Sequence, residues 1–136
     1  MDERYERQVT IPEIGVAGQR KLKKGSALVV GAGGLGCPAI TTLAEAGVGR
    51  IGIVDGDKVD GSNLNRQFLY TPDDLGKSKA ACASDWLKKF RPDCQVDTWS
   101  EYLTDENAGE ILKRFDVILS AVDKVETRLM LSLIHI

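Results

Sequence analysis

Apolar residues recur along this chain in two rhythms. Short runs at 27–30 (Ala27-Leu28-Val29-Val30), 51–54 (Ile51-Gly52-Ile53-Val54) and 115–120 (Phe115-Asp116-Val117-Ile118-Leu119-Ser120) have the length of buried strands. Between them the spacing turns helical. Residues 35–46 place Leu35, Ala39, Ile40, Leu43 and Ala44 on one side, with Pro38 tolerable in the first turn and Gly47 closing the helix. Residues 79–90 do the same with Ala80, Ala83, Leu87 and Phe90 and stop at Arg91-Pro92, after which 96–99 reads as another strand. Residues 105–114 carry Ala108, Ile111 and Leu112. Ahead of the first strand, 12–24 holds Ile14, Val16, Ala17 and Leu22, with Pro12 as an early helix residue and Gly25 just past the end. The order is βαβαβαβ. Such alternation implies an α/β fold: a Rossmann-like parallel sheet with helices on both faces, whose ligands sit at the carboxyl ends of the strands. No linker or repeat divides residues 1–130, so one domain is expected there.

The turn after the first strand, Gly31-Ala32-Gly33-Gly34-Leu35-Gly36, is a phosphate-cradling pattern. Glycine permits positive φ and close backbone approach, and a helix start presents free N–H groups. Asp55 ends the second strand 19 residues after Gly36, where a ribose-binding carboxylate belongs. These two features alone fit an NAD-dependent oxidoreductase. The polar stretch that follows, 56–69, contains Ser62-Asn63-Leu64-Asn65-Arg66-Gln67, for which a dehydrogenase has no obvious use.

Composition narrows the classes further. With 136 residues, 43% of them hydrophobic, the chain can bury one sizeable core. A net charge of −2, with scattered basic residues, argues against nucleic acid as a partner. Cys37, Cys82 and Cys94 are odd in number and lack a C-x-x-C pair, so neither a disulfide framework nor a closed zinc site is expected among them. Each reads as a packing residue rather than a nucleophile. No apolar stretch approaches a membrane span and no signal-peptide core follows the charged start, so the expected location is the cytoplasm.

Taken together, Arg4-Tyr5-Glu6-Arg7-Gln8, the glycine turn, Asp55-Gly56-Asp57, Ser62 to Gln67, Gly76-Lys77-Ser78-Lys79, Asp123 and Thr127-Arg128 resemble the ThiF/MoeB/HesA superfamily, prokaryotic relatives of ubiquitin-activating enzymes. The resemblance covers about residues 4–130. It implies binding of ATP with Mg²⁺ and adenylation of the C-terminal glycine of a ubiquitin-like or sulfur-carrier protein. Gly31, Gly33, Gly34 and Gly36 would cradle the nucleotide, Asp55 and Asp57 would serve its ribose and loop, and Asn63 would reach a phosphate through its amide. Arg66 offers a planar fork and Lys79 a mobile point charge to phosphate oxygens. Asp123 would hold Mg²⁺. Arg7 would reach the neighbouring subunit's nucleotide, which implies a homodimer.

Each assignment has a plainer rival. Lys79 also fits a solvated helix face, Arg66 a surface salt bridge, Asp55 a strand-end cap, Asp123 a loop cap and Arg7 ordinary surface. Lys124 stands where the family commonly has Asn, which leaves a non-catalytic nucleotide-binding scaffold as a further alternative. The family also continues for roughly another hundred residues of sheet. The domain is therefore expected to be the N-terminal part of a longer enzyme, truncated after about four strands and inactive alone, with zinc possible only in the absent C-terminal part. The final Leu131-Ser132-Leu133-Ile134-His135-Ile136 can be written back as CTG TCT CTT ATA CAC ATC, the end of a widely used sequencing adapter, so residues 131–136 are expected to be a non-native tail. Different codons in the underlying DNA would refute that origin.

Overall fold

The computed structural model describes residues 2–122 together with 127, 128, 131 and 132. Four strands, β1 (Ser26–Val30), β2 (Arg50–Val54), β3 (Gln95–Trp99) and β4 (Val117–Ser120), form one all-parallel sheet in the order β3-β2-β1-β4. The helices are α1 (Glu6–Val9), α2 (Gly15–Lys24), α3 (Gly36–Ala46), α4 (Lys79–Phe90) and α5 (Asp105–Leu112). The chain builds outward from β1 to β2 and β3, then returns to lay β4 on β1's other edge. That reversal opens a crevice beyond the carboxyl ends of β1 and β4, the position where open α/β sheets bind ligands.

Alternation along the two inner strands sends side chains to two cores. Ala27, Val29, Ile51 and Ile53 pack against Cys37, Ile40 and Ala44 of α3 and Ala80, Ala83 and Leu87 of α4. Leu28, Val30 and Val54 point the other way, onto Ala108, Ile111 and Leu112 of α5 with Phe115 and Leu131. The expected α/β sheet with helices on both faces is what forms.

Caps fix the helix entries. The Ser78 hydroxyl accepts from Ala81 N at 3.2 Å to start α4. At α5, Thr104 and Asn107 form a reciprocal pair, Thr104 N donating to Asn107 Oδ1 at 2.7 Å. The expected helix over 12–24 needs correction, because it begins only at Gly15. Ile11 O accepts from both Ile14 N and Gly15 N at 2.9 Å, closing a separate turn that contains Pro12. The N-terminal segment, unassigned from sequence, forms a 3-10 turn at Glu3–Tyr5 and then α1. Among the described residues no helix is long and apolar enough to cross a membrane.

Candidate functional site

The crevice at the switch point is a cleft of about 960 Å³ whose lining includes Gly31, Gly33, Gly34, Asp55, Asp57, Asn63, Arg66 and Lys79. Residues proposed from four separate stretches of sequence therefore meet in one place.

The glycine turn is shaped by contact as well as by torsion. Gly31 has φ +100°, and a Cβ there would lie 2.7 Å from Ala121 O. Gly36 differs from its neighbours in role. A Cβ on Gly36 would stand 1.9 Å from Gly31 O, so this residue closes the turn on itself and does not line the cleft. The structure places it as a close-packing position beneath the loop. Gly33 and Gly34 do face the cleft, over Gln67 and Arg66.

Asp55 ties this loop to the sheet. One carboxylate oxygen accepts from Ala32 N and the other from Asp57 N, each at 2.7 Å. It is thus a strand-end cap as well as a cleft residue. Each oxygen keeps a second lone-pair direction for a ligand hydroxyl. Asp57 accepts a short hydrogen bond from the Tyr102 hydroxyl, and its own carbonyl takes Lys79 N at 3.0 Å. Tyr102 lies against Gly56 in the cleft wall. Its only sequence signal is an aromatic just past a strand's carboxyl end.

Arg66 and Lys79 reach the cleft in different ways. Arg66 is exposed, braced by Nη1 hydrogen bonds to Ser62 O at 3.2 Å and Asn65 Oδ1 at 3.0 Å. No carboxylate pairs with it among the described residues, which removes the surface salt bridge there. Lys79 overturns the solvated-face alternative outright, being only 6% exposed. It is the first residue of α4, at the positive end of the helix dipole, and its amine has no hydrogen-bond or ion-pair partner among the described residues. The stem is buried, while the ammonium opens onto the cleft. Nearby, buried Gln67 turns an unpartnered Oε1 into the same region. The cleft thus sets Lys58, Arg66 and Lys79 opposite the carboxylates of Asp55, Asp57 and Asp60, a lining with cationic groups for phosphate and acceptors for hydroxyls.

Asp123 falls outside the described residues, and no group of three His, Cys, Asp or Glu side chains suited to a metal occurs among those described. Arg7 is exposed on α1 and is not a cleft residue. Cys37 and Cys94 are buried and hydrogen-bonded to carbonyls, and burial pushes both thiols up from their ordinary values, as it does Cys82. All three are therefore weak nucleophiles.

Comparison with known proteins agrees with this geometry. The chain is 45% identical over 130 residues to the sulfur carrier protein adenylyltransferase of Thermus thermophilus, covering 96% of this chain and 48% of that protein. It is 48% identical over 129 residues to the adenylyltransferase and sulfurtransferase MOCS3 of Anopheles gambiae, covering 95% of this chain and 29% of that one. The chain thus spans less than half the length of these relatives. Among solved structures, the tRNA N6-threonylcarbamoyladenosine dehydratase TcdA of E. coli in complex with AMP superposes with a TM-score of 0.82 at 26% identity, over 91% of this chain and 52% of that one. The ThiF family model matches residues 5–135, from the N-terminal segment through every strand of the sheet, and so the chain belongs to the ThiF family.

Proposed function

We propose that this chain is the nucleotide-binding part of an enzyme that uses ATP with Mg²⁺ to adenylate the C-terminal glycine of a ubiquitin-like sulfur-carrier protein. The observation that carries the reading is Lys79, whose buried stem presents an ammonium without a described partner to the cleft that the glycine turn lines. The adenylyltransferase names of the relatives and the ATP complex of the E. coli neighbour support it.

In this reaction a carboxylate oxygen of the carrier attacks the α-phosphorus. The bond from that phosphorus to the bridging oxygen breaks, and pyrophosphate leaves with the electron pair. Two anions must approach each other, so the site has to supply preorganised positive charge. Lys79 and Arg66 supply it from two sides of the turn, Lys79 fixed by burial and Arg66 by its bonds to Ser62 O and Asn65. Asn63 adds an amide toward phosphate, and Asp55 accepts from the ribose. Asp57, held by Tyr102, shapes the loop beneath. Asp123 would hold Mg²⁺, which when bound neutralises phosphate charge.

Arg7 serves the other subunit of a homodimer. Gln8 beside it bonds Ala46 O at the last residue of α3, whereas the chain's own phosphate turn leads into Gly36 at the first. Ten residues of helix separate these ends by roughly 15 Å. Its position on the far end of α3 supports action across the interface.

The test is ATP–pyrophosphate exchange by the full-length protein with a ubiquitin-fold carrier ending in Gly-Gly. Exchange should require the carrier and vanish when its terminal carboxylate is amidated. Exchange without a carrier, or tight binding of NADH with none of ATP, refutes the proposal.

A further inference from the structure

We infer that Arg91, with Gln8 and Gln19, is a positioning group for Arg7, latching the N-terminal segment onto the carboxyl end of α3. This deepens the reading of Arg7 as a contributor to the partner's site and rests on it.

Arg91 follows α4 and is 2% exposed. Its Nη1 donates to Ala44 O at 2.7 Å, a last-turn carbonyl of α3 that also takes Gly47 N at 3.3 Å, where the helix dipole favours a cation. Nε and Nη2 grip Asp93 at 3.0 and 3.1 Å, so the guanidinium plane is fixed in two directions. That plane lies 5.7 Å from the Tyr5 ring centre, and Arg4 approaches the same ring at 5.6 Å while reaching Asp93 at 3.7 Å. Three residues after Tyr5, Gln8 Nε2 donates to Ala46 O at 3.0 Å and to Gln19 Oε1 at 2.8 Å, and Gln19 Nε2 also donates to Ala46 O at 3.0 Å.

The segment 4–8 is thus pinned at Tyr5 and Gln8, with Arg7 between the pins. Arg7 itself is exposed, and its guanidinium has no partner among the described residues. A four-residue helix cannot hold a direction on its own. The buried polar cluster supplies that direction, and it touches no residue of the nucleotide cleft.

The test exploits the fact that a residue acting through Arg7 damages the partner's site and spares its own. Full-length subunits carrying different affinity tags are co-expressed, and mixed dimers are isolated by tandem purification and assayed for carrier-dependent exchange. In the control pair, Arg7→Ala with Arg66→Ala, one of two sites is intact and about half of wild-type activity should return. Arg91→Met should lower activity at least 10-fold as a homodimer. Paired with Arg66→Ala it should recover to about half, and paired with Arg7→Ala it should not recover. A role confined to the fold of its own subunit predicts the reverse, recovery with Arg7→Ala and none with Arg66→Ala, and that result overturns the inference. So does full activity of the Arg91→Met homodimer. Gln8→Ala leaves Arg91 packed and should fall in the same class, which decides the matter if Arg91→Met does not accumulate. Failure of the control pair instead removes Arg7 from the partner's site, and the latch's role falls with it.

Discussion

Replacing Lys79 by Met separates its role in binding from any role in folding, because the packing of the stem is kept while the charge is lost. Met has nearly the length of Lys, so the buried stem stays packed, while the ammonium at the first residue of α4 is removed. Stability without ligand should change by less than about 1 kcal/mol, because the swap conserves the buried volume. Loss of a desolvated phosphate contact should weaken ATP by about 100-fold, or roughly 2.7 kcal/mol at 1.36 kcal/mol per factor of ten. Both are read by urea unfolding with and without ATP. At an ATP concentration 100 times the wild-type Kd, bound ligand stabilises the wild type by about 2.7 kcal/mol. The variant, whose Kd then equals that concentration, should gain only about 0.4 kcal/mol. A variant that loses 2 kcal/mol without ligand and keeps its full ATP-induced gain would show Lys79 to be a structural residue.

Arg66→Ala should lower carrier-dependent exchange by about 100-fold while leaving the unfolding midpoint unchanged, because the side chain is exposed and makes only local bonds. Gly36→Ala forces a methyl group into Gly31 O and should abolish ATP binding and soluble expression. Gly34→Ala meets nothing nearer than Arg66 at 3.7 Å and should stay folded, which circular dichroism checks. Arg91 holds the Asp93 carboxyl below its usual 3.8, so this pair stabilises the protein above that pH and loses its effect as acid protonates Asp93. Asp93→Asn should therefore cost up to about 1 kcal/mol at neutral pH, a figure limited by solvent screening, and the gap to wild type should close on acidification below 3.8.

Elements were legible where local pattern and tertiary burial agree. The strands begin and end within two residues of their apolar runs, β1 and β2 because they are buried on both faces of a parallel sheet and β3 and β4 because they pair along the edges of those two. The start of α2 was not legible, since Pro12 fits a first turn equally well inside or outside the helix. Within the site, spacing located the glycine turn and Asp55, but not that Asp55 spends one lone pair of each oxygen on the backbone. Lysine at a helix start reads as surface, and only the fold of the 57–79 loop over it makes Lys79 buried. The cluster around Arg91 was invisible for a related reason. Its members come from residues 5, 8, 19, 44, 46 and 91, which no periodicity joins.

The register of β1 sets the order in which this domain is completed during synthesis. One edge of β1 pairs with β2, whose residues follow 24 positions later, but the other waits for β4: Ala27 pairs with Val117, 90 residues downstream. At ribosomal speeds of 5–20 residues per second that interval is about 5–18 s. Throughout it, the most apolar strand of the sheet has an open edge and an uncovered face, since α5 also lies in the late segment. The nascent chain is therefore most vulnerable to pairing with other chains just before β4 emerges. Slowing translation between residues 54 and 117 prolongs that exposure, and an aggregation-preventing chaperone has its greatest effect in the same window.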